Sequence, residues 1–264
     1  MPAVKKPTRI KPAPKPPATT RRGRSHHATL RADPVMAAVV KAAGRYALEP
    51  QTARAPFESL ARAIAHQQLS GAVAQKIVAR FCALYPDTPF PTPDALRATA
   101  PEQLRAVGFS FAKIRALHDL ADKTLAGIVP DSATLQTLAD EAIIERLSSV
   151  RGIGRWTVEM LLMFQLGRAD VWPVGDFGVR HGFKLAYGLK HLPTPRALHE
   201  FGERWRPHRS AAAWYLWRAV DLQRAGTLPA PPRPAPKIAL HVPRVRPGSK
   251  PRRTAGRKKS PRAR

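Results

Sequence analysis

Residues 147–182 read LSSVRGIGRWTVEMLLMFQLGRADVWPVGDFGVRHG, and this stretch decides the fold. At its centre, Gly152-Ile153-Gly154 separates two segments with helical apolar periodicity, one from about Asp140 and one from Arg155 to Leu166. Two glycines around one apolar residue permit a tight turn, because no Cβ keeps the two helix ends apart. We therefore predict a helical hairpin over about residues 140–166.

The turn of this hairpin has the properties of an anion site. Its main-chain N–H groups lie near a helix N-terminus, where the helix dipole favours negative charge. A DNA phosphate can approach a glycine main chain closely. An ordinary interhelical turn uses the same Gly-x-Gly pattern, so Gly152 and Gly154 alone leave both interpretations open.

Helical signals extend outward from the hairpin over residues 34–225. Capping residues and prolines precede apolar-periodic runs, and glycines end them, as at Gly108, Gly127, Gly167 and Gly188. From Ile114 to Leu125 the apolar side chains fall on one helical face. No stretch alternates long enough for a strand. The sequence predicts an all-α core of nine or ten helices.

The two ends of the chain differ from this core in composition. Of the 45 Lys and Arg residues, nine lie in residues 1–32 and twelve in residues 225–264, with no acidic residue in either segment. Both ends are also rich in proline, and such segments bury too little apolar surface to offset chain entropy. We predict disordered basic tails over 1–33 and 226–264 around a core at 34–225. The charge indicates a polyanionic partner, although solubility alone would also explain one such tail.

Cysteine content and hydropathy exclude several classes. A single cysteine, Cys82, rules out a disulfide framework and a cysteine-ligated cluster and fits a reducing compartment. No apolar run approaches membrane-spanning length, and the first residues lack the apolar stretch of a secretory signal. We expect a monomer without a membrane partner, located in a bacterial cytoplasm at the nucleoid.

The segment Val150–Thr157 (VRGIGRWT), with Asp176 placed 22 residues after Gly154, resembles the helix-hairpin-helix DNA glycosylases, specifically the 3-methyladenine DNA glycosylase II branch. The similarity continues outside the hairpin, over about residues 57–218, in IAHQQLS (64–70), GFSFAK (108–113) and RWRPHRS (204–210). The resemblance implies a two-lobed helical glycosylase body with a helix-hairpin-helix DNA-binding motif.

By this resemblance, Asp176 is the catalytic carboxylate. A carboxylate near the sugar stabilises the positive charge that develops when the glycosidic bond breaks, and it can orient or deprotonate water. Asp176 would also cap the helix that follows it, and the two roles are compatible. Asp170 is the nearest acidic alternative, which we interpret as a loop residue. Trp156 stands where bifunctional relatives carry the lysine that forms a Schiff base, so we expect no lyase activity.

The resemblance also assigns the residues that handle the base. Trp156 and Trp217 match positions that line the base pocket, and their faces suit a cationic alkylated purine. Met160 stands where some relatives have tyrosine. An enzyme that flips a base must fill the gap left in the stack. The candidates for that loop are Gln67, Gln68, Leu69 and Ser70, of which Gln68 is the plug; the end of a buried helix would explain the glutamines equally.

The remaining assignments concern DNA phosphates and a cation. The expected backbone contacts are the hairpin residues Arg151, Gly152, Gly154, Arg155 and Thr157, together with Lys113. The family's hairpin commonly holds a monovalent cation through main-chain carbonyls, which here belong to Ser148, Val150 and Ile153. No cofactor is expected to be required, apart from a structural Na⁺ or K⁺ at that hairpin.

These patterns favour a monofunctional glycosylase that hydrolytically excises alkylated purines of the 3-methyladenine and 7-methylguanine type from double-stranded DNA during base excision repair. Two alternatives stay open. One is a non-enzymatic DNA-binding protein that uses the hairpin only to hold phosphates. The other is a glycosylase for a neutral damaged or mismatched base, which the two tryptophans disfavour.

Overall fold

The computed structural model describes residues 25–231, and every regular element within that range is helical. It contains thirteen α-helices and one 3-10 helix, more than the nine or ten predicted, because four helices of six residues each lack a detectable periodicity. In chain order they are α1 (His26–Arg31), α2 (Pro34–Ala43), α3 (Pro56–His66), α4 (Gly71–Cys82), α5 (Pro93–Ala98), α6 (Pro101–Ala106), α7 (Phe111–Leu125), α8 (Ser132–Thr137), α9 (Asp140–Ser148), α10 (Arg155–Phe164), α11 (Phe177–Ala186), α12 (Pro195–Gly202), the 3-10 helix (Glu203–Trp205) and α13 (Arg209–Arg224).

The helices begin where local chemistry favours it. Side-chain oxygens of Asp, Ser or Thr accept a hydrogen bond from the first helical turn and satisfy N–H groups that have no partner within the helix. Proline occupies the first turn of several helices, where its missing N–H costs nothing. The side-chain caps are Ser25, Asp33, Thr92, Ser110, Asp131, Asp176 and Thr194.

The helices pack in two groups, which gives the predicted two-lobed body. In the central group, α7 contacts α3, α5 and α6, and α10 contacts α3 and α9. In the other group, α13 packs on α11 and α2, and α2 packs on α1. A Cβ at Gly182 would overlap the Leu216 carbonyl, so glycine permits the close approach of α11 and α13. Helix α7 ends as predicted, but its last residue, Leu125, is exposed.

The boundaries predicted for the tails were wrong by a few residues at each end. Helix α1 lies within the predicted tail 1–33, yet its Leu30 is completely buried in the core. The Tyr187 hydroxyl donates to Asp33 at 2.6 Å and ties this region to α11. At the other end, Leu228 packs against the core and Pro231 lies beside Gly188. The rest of the predicted tails, 1–24 and 232–264, lies outside the described residues.

Among residues 25–231 no helix combines the length and the apolar character that crossing a bilayer requires.

Candidate active site

The hairpin lies where the sequence placed it, between α9 and α10. Gly152 adopts φ +76°, a left-handed conformation that glycine enters without strain, whereas Gly154 caps α10 with φ −98°. Val150 and Ile153 are buried beneath the turn, and Gly152 and Gly154 are exposed on it. The second helix ends at Phe164 rather than at the predicted Leu166. The turn thus offers exposed main chain at the start of α10.

Asp176 is the N-cap of α11, and three N–H groups converge on its nearly buried carboxylate. Its Oδ1 accepts from the Val179 main chain at 2.7 Å and from Trp217 Nε1 at 2.8 Å. Its Oδ2 accepts from Trp156 Nε1 at 2.8 Å. Of the three donors, the sequence predicted Trp156 and Trp217 as site residues but not Val179. It did not predict that both indoles bind the carboxylate. These bonds fix the orientation of the carboxylate by contacts from α10, α11 and α13.

A cavity of about 630 Å³ opens between α3 and α10. Trp156, Met160 and Phe164, which follow one another at four-residue intervals on α10, line it together with Gln165 and residues of α3. Trp156 is 49% exposed, so much of its ring is open to solvent. The Trp217 ring stacks on Phe164 with centroids 5.7 Å apart and planes 18° apart.

Of the three residues predicted for the base pocket, Trp156 and Met160 line the cavity, whereas Trp217 does not and instead stacks on Phe164. The predicted DNA contacts Gln67, Gln68, Gly152 and Thr157 line it as well. Sequence reasoning missed Phe164 and Gln165. Phe164 has the same helical spacing from Met160 as Met160 has from Trp156, and this signal could have identified it. Gln165 has no comparable signal, because its placement depends on the chain at Arg54.

The predicted gap-filling loop connects α3 to α4 and stands beside the hairpin. Gln67 Nε2 donates to the Gly152 carbonyl at 2.8 Å, so this side chain joins the loop to the hairpin. Gln68 is exposed and adopts φ +59°, a strained conformation for a residue with a side chain. Leu69 is 39% exposed, and the exposed Ser70 precedes α4. Gln68, Leu69 and Ser70 are thus the exposed side chains of this loop, and Gln68 also lines the cavity.

Three of the residues predicted to contact phosphates have partners within the protein or face inward. Lys113 Nζ donates to the carbonyl of Ala65, in the last turn of α3, at 2.8 Å. Arg155 pairs with Glu141 at 2.6 Å and with Glu159 at 3.1 Å. Thr157 is buried in the cavity wall. Their contacts with DNA stay predictions.

Arg151 lies at the surface of the hairpin turn. Its side chain is exposed, and its main-chain N–H donates to Asp119 Oδ2 at 2.6 Å, which anchors the turn to α7. Lys123, one turn further along α7, binds Asp119 at 2.9 Å and contacts the Ser149 carbonyl. Contacts from α7 thereby hold the main chain of the hairpin, while the Arg151 side chain stays exposed to solvent.

The carbonyls predicted for a cation lie in this same turn. The Val150 carbonyl accepts from Ile153 N at 3.0 Å, which uses one of its two lone pairs. The Lys123 ammonium already contacts the adjacent Ser149 carbonyl and brings positive charge to that side of the hairpin. Among residues 25–231, no group of three or more His, Cys, Asp or Glu side chains is arranged to hold a metal ion.

A second buried carboxylate lies near Asp176. Glu159, on α10, is 5% exposed, and burial raises its pKa to about 6, although Arg155 acts in the opposite direction and Asp176 adds repulsion. Asp170, the alternative catalytic acid, binds Arg206 at 2.7 Å and Arg209 at 2.8 Å. Its carboxylate is therefore committed to ion pairs, which agrees with its interpretation as a structural loop residue.

The other tryptophans have structural positions. Trp205 is almost completely buried, and Trp172 is buried with its indole N–H on the Leu198 carbonyl at 2.9 Å. Trp214 is half-buried against the core. Only Trp156 and Trp217 of the five thus reach the carboxylate at the cavity.

Comparison with known proteins gives a consistent result. Residues 61–207 match the model of the HhH-GPD superfamily of base excision DNA repair proteins. DNA-3-methyladenine glycosylase 1 of Schizosaccharomyces pombe is 42% identical over 167 residues, which cover 63% of this chain and 73% of the relative. DNA-3-methyladenine glycosylase 2 of Escherichia coli is 34% identical over 61% of this chain and 56% of its own length.

Solved structures agree. The 3-methyladenine DNA glycosylase of S. pombe, solved in complex with abasic DNA, superposes with a TM-score of 0.67 at 39% identity, covering 73% of this chain and 95% of that one.

Proposed function

The chain belongs to the HhH-GPD superfamily of base excision DNA repair proteins, and we propose that it hydrolytically excises alkylated purines from double-stranded DNA. The observation that carries this proposal is the Asp176 carboxylate, held by the indoles of Trp156 and Trp217 beside an aromatic cavity. The names of the relatives, 3-methyladenine glycosylases, support the class of substrate.

DNA binding would use two surfaces, the hairpin turn and the loop between α3 and α4. The exposed turn at Gly152–Gly154 presents main-chain N–H groups to a phosphate, and the exposed Arg151 adds positive charge beside it. Gln68 and Leu69 enter the stack where the base leaves it, because they project from the loop beside the hairpin. Flipping costs a few kcal/mol of unstacking, which these contacts offset.

The cavity selects the base by its aromatic faces. A purine alkylated at N3 or N7 carries a positive charge, which the electron-rich faces of tryptophan attract. Such a base is already a good leaving group, so the site needs little acid catalysis. Trp156 and the stacked pair Phe164–Trp217 supply those faces.

Asp176 acts on the sugar. As the bond to the base lengthens, positive charge develops at C1′, and the oriented carboxylate stabilises it and positions a water for attack. Its two indole donors and the Val179 N–H hold it in place before the substrate arrives, so little reorganisation is needed.

We also propose that the enzyme lacks lyase activity. A lyase needs an amine close to C1′ to form a Schiff base. Among the described residues no lysine lines the cavity, and the Trp156 indole holds the place beside Asp176. Lys113, which does not line the cavity, donates to the Ala65 carbonyl in α3.

Two further proposals concern a monovalent cation at the hairpin and the location of the protein in the cell. A Na⁺ or K⁺ at the hairpin carbonyls of Ser148, Val150 and Ile153 would strengthen a phosphate contact, while Lys123 supplies charge nearby in its absence. Thermal unfolding in KCl, NaCl and tetramethylammonium chloride of equal ionic strength tests it. Action on chromosomal DNA would place the protein in the cytoplasm at the nucleoid.

The deciding experiment measures base release from methylated duplex DNA by the wild type and by Asp176→Asn, with products separated before and after alkali. We expect free methylpurine from the wild type, at least about 100-fold less from the variant, and strand breaks only after alkali. Binding to DNA with an abasic analogue confirms that the variant is folded.

Each alternative has its own outcome. No release of any base by either protein, despite tight binding, would indicate a non-enzymatic DNA-binding protein. Release of uracil or hypoxanthine without release of methylpurine would indicate a glycosylase for neutral bases. Strand breaks without alkali would contradict the absence of lyase activity.

A further inference from the structure

The loop between α3 and α4 contains a strained main-chain conformation that the proposed chemistry does not explain. Gln68 adopts φ +59°, and among residues 25–231 it is the only residue other than glycine with a positive φ. Such a conformation persists only where surrounding contacts hold the chain in it, and it is frequent at functional sites. The Gln68 side chain is exposed. The contacts of this loop therefore determine where that side chain stands before DNA binds.

Two side-chain hydrogen bonds fix the chain just before Gln68. The Gln67 amide donates from Nε2 to the Gly152 carbonyl in the hairpin turn at 2.8 Å. Lys113 Nζ, on α7, donates to the Ala65 carbonyl at 2.8 Å. The Gln67 bond is the closer of the two to the strained residue, because it starts from the adjacent position.

The other end of the Gln67 bond is itself held in place. Gly152 adopts φ +76° in the turn, and the N–H of the preceding Arg151 donates to Asp119 Oδ2 at 2.6 Å. Gln67 therefore ties the loop to a turn that α7 already anchors. Since this turn is also the proposed phosphate contact, one hydrogen bond joins the surface that holds the DNA backbone to the residue that fills the gap.

This inference rests on the proposed function. We propose that Gln67 is a positioning residue, whose bond to Gly152 holds Gln68 in the strained conformation from which it fills the gap left by the flipped base. A loop that is ordered before binding loses less conformational entropy when the gap is filled. Without the bond, Gln68 relaxes toward negative φ, and the loop must be ordered again during base flipping.

A direct contact with the flipped base is the competing explanation, because Gln67 also lines the cavity. The two explanations differ in how the loss of Gln67 combines with the loss of Gln68. A residue that acts only through Gln68 contributes nothing more once the Gln68 side chain is absent. A residue that contacts the base contributes independently, so the two losses multiply. A double-mutant cycle therefore distinguishes positioning from direct contact.

The test measures single-turnover release of 3-methyladenine from methylated duplex DNA by Gln67→Met, Gln68→Ala and the double variant. Methionine has nearly the length of glutamine but no donor for the Gly152 carbonyl. Alanine is strained by a positive φ as glutamine is, so Gln68→Ala removes only the gap-filling side chain. Gln136→Met is the matched control, since it removes an amide that donates to the Leu166 carbonyl, and Gln136 does not line the cavity.

We expect Gln67→Met to slow release roughly three- to tenfold, the effect of one ordinary hydrogen bond. The double variant should lie within about twofold of Gln68→Ala, and Gln136→Met within about twofold of the wild type. An unchanged rate in Gln67→Met would overturn the inference, as would a Gln68→Ala variant as active as the wild type. Losses that multiply in the double variant would overturn it as well.

Gap filling can also be observed without catalysis. In a duplex with an abasic analogue and a neighbouring 2-aminopurine, saturating wild-type protein should change the fluorescence of that base as Gln68 inserts. Gln67→Met should reduce this change, as Gln68→Ala does, and an undiminished change would contradict the inference. Gln67→Asn, one methylene too short to reach Gly152, replaces Gln67→Met if the latter does not fold. If the wild type releases no methylpurine, the proposed function has failed, and the fluorescence comparison still tests the positioning role.

Discussion

The Trp217 indole N–H donates to Asp176 Oδ1 at 2.8 Å across 41 positions of sequence. The other carboxylate oxygen takes the Trp156 indole at 2.8 Å, so the side chain is held from α10 and α13 while it caps α11. The position of the carboxylate therefore depends on the packing of three helices. A change that moves one of these helices or indoles should alter the rate without altering the fold.

Gly178 tests that dependence. A Cβ there would come within 2.8 Å of Trp217 Cδ1 and 3.1 Å of Asp176 Oδ1, so Gly178→Ala must displace the indole from the carboxylate. We expect kcat for base release to fall roughly 10- to 100-fold, because small misplacements of reacting groups are costly. Single-turnover release from methylated DNA measures it.

The matched control is Gly175→Ala. Gly175 lies on the other side of Asp176, and a Cβ there meets nothing within 4 Å. It should retain activity within about twofold. Similar losses in both variants would show that the loop, rather than the Trp217 contact, sets the rate.

Glu159 predicts a pH dependence of stability. Burial raises its pKa in the folded state from 4.5 to about 6, so the folded state binds a proton more tightly than the unfolded state does. Its favourable contribution is complete below pH 4.5 and is lost as the pH rises through 6. The shift corresponds to about 2 kcal/mol.

Urea unfolding of the wild type and of Glu159→Gln checks this prediction, since glutamine does not titrate. The free energy of unfolding of the wild type, relative to the variant, should fall by about 2 kcal/mol between pH 4.5 and pH 7. A difference that stays constant over that range would contradict the assignment.

The sequence predicted what local pattern determines and missed what distant contacts determine. The glycine turn and the cap at Asp176 follow from residue types and spacing within a few turns, whereas Trp156 and Met160 were assigned by the family resemblance. The partners of Lys113 and Gln67 lie 48 and 85 positions away, and no periodicity indicates them.

Helix α1 was missed for a different reason. It has only six residues, it follows a basic proline-rich segment, and one leucine carries most of its apolar contact with the core. Composition averaged over residues 1–33 therefore outweighed the local cap at Ser25. A single buried side chain is too weak a signal to be detected by periodicity.

Leu30 lies within the predicted tail, yet its burial should make a large contribution to the free energy of unfolding. It is completely buried, and Leu30→Ala should lower the free energy of unfolding by about 2–5 kcal/mol, measured in urea. Leu125→Ala, at a leucine that is 41% exposed, is the control and should cost less than about 1 kcal/mol. Equal effects would mean that α1 does not pack on the core in solution.

The two arginines of the hairpin should differ in their effect on DNA binding. Arg151 is exposed, and no ion pair among the described residues involves its guanidinium, whereas Arg155 is paired with Glu141 and Glu159. A cation that neutralises one DNA phosphate adds about 0.9 to the slope of log K against log salt. Arg151→Gln should therefore reduce that slope by about 0.9, and Arg155→Gln should leave it nearly unchanged.

Both slopes are obtained by fluorescence anisotropy with abasic-analogue DNA at salt concentrations of about 50–200 mM. The pair with the exposed Glu141 is screened, but Arg155→Gln also removes the partner of the buried Glu159, so we expect this variant to lose some stability. Urea unfolding of both variants therefore establishes that they are folded before their slopes are compared. A reduced slope in Arg155→Gln alone would mean that its ion pairs open and that this arginine, rather than Arg151, reaches the phosphate.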